Sequence, residues 1–301
     1  MTLYLHHSLA HSTRAAYSSA ARSFTHFCLL FNYINQDGTI FPASEHTLML
    51  FSTYLAYSLK PQSIKVYLSG ICNAHLERGL PDPLLETPNL RRLLRGIKRS
   101  KGSSPDSRLP ITASLLRTFR TFLNLQHYDH IVLWAGLLTA FFGFLRSSEL
   151  LALRHGDATR QQDGYEVHIR VSKTDPFRFG ARAKLVHSGD PSLCAVEALD
   201  QLKQAAPSNS GNLLAFEDGT TLSRHHLNTL IKALVARCGI PPNRFSSHSF
   251  RIGAATAAAA AGIPDWQIQA LGRWSSESYR RYIRLANPDA RVASALASSR
   301  L

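Results

Sequence analysis

A chain of 301 residues in which 34 lysines and arginines face 20 aspartates and glutamates carries a formal charge of +14 and a pI near 10. Its 45% hydrophobic content suits ordinary cores and excludes a disordered chain; no apolar run approaches the roughly 18 residues of a membrane span, and Met1–His7 lacks the basic-then-apolar order of a signal peptide. Four scattered cysteines (Cys28, Cys72, Cys194, Cys238) without a C-x-x-C pair argue against a disulfide scaffold or zinc ribbon and suit a reducing compartment, so the first expectation is a soluble, basic, two-domain protein with a polyanionic partner, most commonly nucleic acid.

The first third reads as helices. Ser12-Thr13 can cap a helix whose apolar positions are Ala16, Phe24, Phe27, Cys28 and Phe31. Ser44 can cap a second helix with Leu48, Phe51, Leu55 and Leu59 on one face. Pro61 suits the first turn of a third, which runs to a stop at Gly79. Thr87-Pro88 opens a fourth, to about Lys101. From Arg91 to Lys101 six of eleven residues are basic: Arg91, Arg92, Arg95, Lys98, Arg99 and Lys101. Arg91, Arg95 and Lys98 share a face, with Arg92 and Arg99 beside it. So many like charges on one helix repel, and a phosphate backbone would offset that repulsion; a solvated surface or a nuclear targeting signal is the plainer reading.

The turn-rich stretch 102–107 reads as a linker, and the domain boundary is placed between residues 104 and 105. Both sides are basic: residues 1–108 hold 12 basic and 6 acidic side chains, residues 109–301 hold 22 and 14. Thr112 can cap the next helix, and a long apolar helix follows over 131–145. Tyr165, Val167, Ile169 and Val171 alternate with polar residues, which is strand periodicity, and a second short strand fits Ala183–Val186. Between them lies a loop, Lys173 to Phe177. Later helices open at Asp190-Pro191, Ser223 and Asn287-Pro288. Ala254–Ala261, seven alanines and a threonine, reads as a tightly buried helix. The fold expectation is therefore mainly α: an N-terminal helical bundle and a C-terminal, mostly helical domain with a small sheet or hairpin.

Several polar residues stand where they need a partner. Arg146 lies between two apolar segments and must be paired or face a ligand; Glu149, three residues on, is the expected partner. His248-Ser249-Phe250-Arg251 places His and Arg on one face at a helix start, a favourable place for a phosphate. The remaining histidines, including His6, His7, His225 and His226, match no metal-binding spacing and read as surface or core residues.

In chain order these pieces are Leu145-Arg146-Ser147-Ser148-Glu149, Ser172-Lys173-Thr174, His248-Ser249-Phe250-Arg251, Leu271-Gly272-Arg273-Trp274 and Arg281-Tyr282-Ile283-Arg284. Together they resemble the tyrosine recombinase (phage integrase) family over nearly the whole chain. The family pattern runs Arg, Lys on a β-hairpin, H-x-x-R, His or Trp, then the nucleophilic Tyr. Trp274 gives the sequence a Cre-like look, and its wording is most similar to recombinases of eukaryotic mobile elements of the Crypton or DIRS type. The resemblance implies a SAM-like core-binding domain over 1–104 and a catalytic domain over 105–301. It implies Arg146 and Arg251 clamping the scissile phosphate, with Trp274 donating a single N–H. It further implies His248 accepting the tyrosine proton, Lys173 protonating the leaving 5′-oxygen and Glu149 holding Arg146 or His248 in place. It implies DNA cutting and rejoining through a 3′-phosphotyrosyl intermediate and a Holliday junction, without metal, ATP or other cofactor. The implied partners are double-stranded DNA bearing paired inverted-repeat half-sites and, in the synaptic complex, a homo-tetramer assembled from free monomers; no membrane is involved. The location would be the nucleus for a eukaryotic element and otherwise the cytoplasm or nucleoid.

Two features depart from the pattern. Trp274 precedes Tyr282 by eight residues where nine is usual, and Tyr279 stands three residues before Tyr282 as a competing nucleophile. Two other functions fit part of the sequence: a type IB topoisomerase-like nicking and rejoining enzyme, and a domesticated DNA-binding protein without catalysis.

Overall fold

The computed structural model describes residues 8–102, 108–172, 175, 177, 179–207 and 211–283. The chain divides into two compact units, residues 1–106 and 107–301.

The first unit consists of α1 (His11–Leu30), α2 (Glu45–Ser58), α3 (Pro61–Leu76) and α4 (Pro88–Lys101). α1 starts earlier than Ser12-Thr13 suggests. The Ala10 carbonyl already accepts from the N–H groups of Thr13 and Arg14, so Ser12 and Thr13 fall inside the first turn and cap nothing. The buried stripe of α1 is Ala20, Phe24, Phe27 and Cys28, while Ala16 is exposed. Ser44 does cap α2, its Oγ accepting from Thr47 N at 3.1 Å, and Pro61 does open α3. α1 and α3 pack most closely at Ala20 and Gly70, where a Cβ on Gly70 would lie 2.6 Å from that of Ala20.

α4 lies on this core by one edge. Only Leu90 is fully buried, with Leu94 and Ile97 packed against the core. Glu45, at the start of α2, accepts a hydrogen bond from Leu90 N at 2.9 Å and so fixes where α4 begins. All six basic side chains named above are exposed, and among the described residues none of them forms an ion pair. Lys101 Nζ reaches the carbonyls of Tyr57 and Leu59 instead.

The second unit contains α5 (Ala113–Thr121), α6 (Tyr128–Phe142), α7 (Ser147–Leu151), β1 (Ala158–Gln161), β2 (Gly164–Ile169) and β3 (Ala181–Val186). These are followed by α8 (Ala195–Ala205), α9 (Arg224–Arg237), α10 (His248–Ala260), α11 (Asp265–Leu271) and a 3-10 turn, Glu277–Arg281. α6 is the axle: every residue from Ile131 to Phe141 is buried, as expected of a helix that is apolar all round. Thr112 and Ser223 cap α5 and α9 as the sequence suggests.

The sheet has three antiparallel strands in the order β1-β2-β3, with Tyr165 opposite Leu185 and Val167 opposite Ala183. β1 shows no alternation in the sequence because it is an edge strand with only Ala158 buried; its trace is the turn that ends in Asp163-Gly164. β2 stops at Ile169, and Val171, beyond it, is half exposed. The alanine-rich helix α10 buries one face, through Ala254, Ala255 and Ala258, and exposes its far end. The helix expected from Asn287 onward lies outside the described residues. No helix among the described residues is long and apolar enough to cross a membrane, and the four cysteines are free thiols.

Glycine-to-alanine changes should have opposite signs in the two units. A Cβ on Gly253 in α10 would sit 1.8 Å from the Ile111 carbonyl oxygen, which is backbone and cannot swing aside. Gly253→Ala should destabilise by about 2–3 kcal/mol. Gly96 on exposed α4 has nothing within 4 Å of such a Cβ, so Gly96→Ala should stabilise by about 0.5–1 kcal/mol. Urea unfolding of the two variants checks both.

Candidate active site

The site grows from the end of α6. The helix terminates at Gly143, and Phe144 turns the chain with φ +50, in the left-handed region where a bulky residue is rare. This turn presents the carbonyls of Gly143 and Phe144 and leads into Arg146, which begins α7. Glu149 lies one turn later and folds its side chain back toward Arg146 N.

The Glu149 carboxylate is 1% exposed and takes four hydrogen bonds. Oε1 accepts from Arg146 Nη1 at 2.6 Å and from Ser172 Oγ at 2.7 Å. Oε2 accepts from Arg146 N at 2.9 Å and from Arg273 Nη2 at 3.2 Å. Burial, the largest single influence, raises the pKa of this carboxyl. The hydrogen bonds from Arg146 N, Ser172 and the Arg146 guanidinium, with the charge of Arg273, outweigh it and leave the pKa lowered, so Glu149 is an anion. The expected Arg146–Glu149 pair is present.

Arg251, in the first turn of α10, is also 1% exposed. It donates to the carbonyls of Phe144 (2.6 Å) and Gly272 (2.8 Å), and its guanidinium lies 4.2 Å from the centre of the Trp274 ring. Burial and then the like charge of Arg146 push its pKa down. Arg146 and Arg273 bond one carboxylate and Arg251 lies within its electrostatic reach, which leaves an excess of two positive charges in a largely buried place. Such a place favours an incoming anion.

His248 and Arg251, three apart on α10, reach the cluster as the H-x-x-R spacing suggests. The His248 ring meets that of Tyr282 edge-on with centroids 4.9 Å apart. The Tyr282 ring also lies over Trp274 at 5.5 Å, and the Tyr282 carbonyl accepts from Thr256 Oγ1 at 2.9 Å. Tyr282 is half-buried, close enough to Arg251 to act on it electrostatically. Tyr279 takes a different direction: it is buried and donates its hydroxyl to Asp265 at 3.1 Å. Trp274 is buried between Arg251, Phe144 and the two tyrosines. Lys173 lies outside the described residues. Its neighbour Ser172 is tied to both Glu149 and Arg146, and Asp175 holds the far side of the loop through the N–H groups of Phe179 and Gly180. The basic helix α4 belongs to the other unit.

Arg273 is the member that the motif reading passed over. Its guanidinium bonds Glu149 and the carbonyls of Gly143 and Phe144. The signal was available by counting: nine residues separate it from Tyr282. Away from any sequence motif, the fold also brings possible ligand atoms of His187, Cys194 and Glu197 within 4.8 Å of one another; Cys194 Sγ and His187 Nδ1 are 3.5 Å apart, a hydrogen-bond distance for sulfur.

A mostly helical unit with a three-stranded sheet, carrying Arg–Glu, H-x-x-R and Tyr in one cluster, has the architecture of a tyrosine recombinase domain. The chain matches the phage integrase family over residues 120–287, more than half its length, and it belongs to that family. It is 25% identical over 293 residues to the integrase/recombinase xerD homolog of Selenomonas ruminantium, a match covering 94% of this chain and 84% of that one. Its fold is similar to that of the XerH site-specific recombinase in a post-cleavage complex with a palindromic difH substrate (TM-score 0.71, 15% identity, 95% of this chain and 80% of that chain). It is similar also to the Tn1549 transposon integrase bound to circular intermediate DNA (TM-score 0.65, 14% identity, 97% and 95%). A lambda integrase dimer on a core site gives a TM-score of 0.62 at 14% identity, over 93% and 91%.

Removing the charge of Glu149 should cost more than a surface ion pair. Glu149→Gln leaves the buried Arg251 and the partly buried Arg146 and Arg273 without their counter-charge, so the second unit should lose about 3 kcal/mol. Because the carboxyl pKa is lowered in the fold, its contribution is complete above the ordinary value of 4.5 and is lost as pH falls through the folded value. The stability gap between wild type and Glu149→Gln, followed by urea unfolding, should therefore close on acidification below pH 4.5.

Proposed function

We propose that this chain is a site-specific DNA recombinase that cuts and rejoins strands through a covalent tyrosyl intermediate, in DNA integration or transposition. The observation that carries the reading is the excess of positive charge held by Arg146, Arg251 and Arg273 around one carboxylate, beside the rings of His248 and Tyr282. A phosphodiester is the anion that suits it. Arg146 and Arg251 bind the non-bridging oxygens as planar guanidinium forks. The Tyr282 hydroxyl attacks phosphorus and its proton passes to His248. The P–O5′ bond breaks, Lys173 donates a proton to the departing oxygen, and a 3′-phosphotyrosyl end and a free 5′-hydroxyl remain. Attack by a 5′-hydroxyl from the partner duplex reverses the step and releases tyrosine, so bond energy is conserved without ATP. Repetition through a Holliday junction in a tetramer completes the exchange. The XerH and Tn1549 integrase structures, which include DNA, support DNA as the partner.

In this reading α4 contacts the DNA backbone. Its exposed cations neutralise phosphates whatever the base sequence, so affinity should fall with salt at a log–log slope of about −0.9 per phosphate. Reversing Arg92 and Arg95 to glutamate should weaken binding to cognate and random duplexes alike and make that slope shallower by about two units. Fluorescence anisotropy across a salt series measures both; a change confined to the cognate duplex would assign α4 to base readout.

The nucleophile is testable separately. On a nicked suicide duplex, Tyr282→Phe should bind as wild type and form no covalent adduct, whereas Tyr279→Phe should still form one. Peptide mapping that located the DNA on Tyr279 would overturn the assignment.

A further inference from the structure

Three donor side chains that the recombinase reading leaves unused meet where the sheet gives way to α8. β3 buries Ala183 and Leu185 on one face. His187 follows at the same period of two, one residue past the end of the strand, and so continues that face beyond the sheet. Cys194 is the N-cap of α8 and is 2% exposed. Glu197 is the third residue of the helix, a position from which a side chain reaches back over the N-cap. Cys194 Sγ lies 3.5 Å from His187 Nδ1, and ligand atoms of all three residues lie within 4.8 Å of one another.

Other groups fix the chain between these residues. Gly189 turns it with φ +73. Ser188 Oγ donates to the Asp190 carbonyl at 2.9 Å and accepts from Asp190 N at 3.2 Å. The Asp190 carboxylate accepts from Ser192 N at 3.0 Å and pairs with Arg117 at 2.9 Å. The turn therefore brings His187 back over Cys194 without help from any of the three donors, and the Glu197 carboxylate has no hydrogen bond or ion pair among the described residues. A thiol–imidazole hydrogen bond accounts for two of the three. A tetrahedral zinc ion accounts for all of them: bonds of about 2.3 Å to sulfur and about 2.0 Å to nitrogen set those two atoms about 3.5 Å apart.

We propose that His187, Cys194 and Glu197 bind a zinc ion that staples the end of β3 to the start of α8. The donor set selects the metal: a thiolate and an imidazole suit zinc, whereas magnesium and calcium take oxygen ligands. On binding, Cys194 releases its thiol proton to solvent and His187 coordinates as the neutral ring through Nδ1. The thiolate and the carboxylate then cancel the charge of the ion, so the site adds nothing to a chain already at +14. His187 and Glu197 are exposed, so rotation of their side chains closes the remaining gap, and the fourth position faces solvent and takes a water. The ion is structural, and no residue of the arginine cluster is among its ligands. α8 packs against both α6 and β3, so the staple would join the sheet to the helical core of the unit.

The test uses the full chain, stripped with a chelator and titrated with zinc in competition with a fluorescent zinc indicator. Wild type should bind one zinc ion at this site, and His187→Ala and Glu197→Gln, both at exposed positions where folding is not at stake, should each weaken that binding by about tenfold or more. Cobalt(II) in place of zinc should show a thiolate-to-metal charge-transfer absorption that disappears in Cys194→Ser and persists in Cys238→Ser, a thiol outside the cluster. Saturating zinc should raise the urea midpoint of wild type and leave that of His187→Ala where it was. Zinc binding that either exposed variant leaves unchanged would place the ion elsewhere among the 14 histidines and overturn the proposal. So would a wild-type chain that binds no zinc, a cobalt complex without the thiolate band, or displacement of zinc by an equal concentration of magnesium.

Discussion

One buried carboxylate organises the second unit. Glu149 spends all of its acceptor capacity on four donors that come from the α7 cap, the loop after β2 and the turn after α11. No two of these segments are adjacent in the chain, and each brings one side-chain donor to the carboxylate: Arg146, Ser172 and Arg273. An anion buried this deeply is tolerated only because every lone pair is met and because the surrounding charge is positive. The same fact limits the cations, since Arg146 and Arg273 keep their geometry by leaning on opposite oxygens of one group.

Much of this was legible because strong local signals coincided with the fold. Ser44, Thr112 and Ser223 are caps in sequence and in structure, and Pro61 and Gly79 bracket α3 as their backbone preferences require. The signal failed where tertiary context replaced it. β1 is an exposed edge without alternation, and α1 begins on the Ala10 carbonyl rather than on a hydroxyl cap. The apolar run of α6 extends in sequence to Leu145, but the chain turns at Gly143 and Phe144, because the carbonyls freed there serve arginines from α10 and from the turn after α11.

The candidate site shows the same division. The pairing of Arg146 with Glu149 and the shared face of His248 and Arg251 follow from helix periodicity, so spacing alone finds them. Arg273 does not follow from periodicity. It sits in a left-handed turn next to an aromatic residue of greater apparent interest, and its relation to Glu149 crosses 124 residues of chain. Tyr279 and Tyr282 are separable only in three dimensions: one hydroxyl is taken by Asp265, while the other ring lies against His248.

The contact between Gly272 and Trp274 has a consequence for how such chains can drift. With the indole less than 2 Å from where a methyl would stand, positions 272 and 274 cannot vary independently. A library randomised at 272 alone would return glycine, and one in which 274 is also reduced to a small residue would accept alanine or serine at 272. That second solution removes the aromatic floor beneath Arg251, so the pair is a coupled inheritance: the flat backbone and the ring above it are gained or lost together, and the guanidinium they support goes with them.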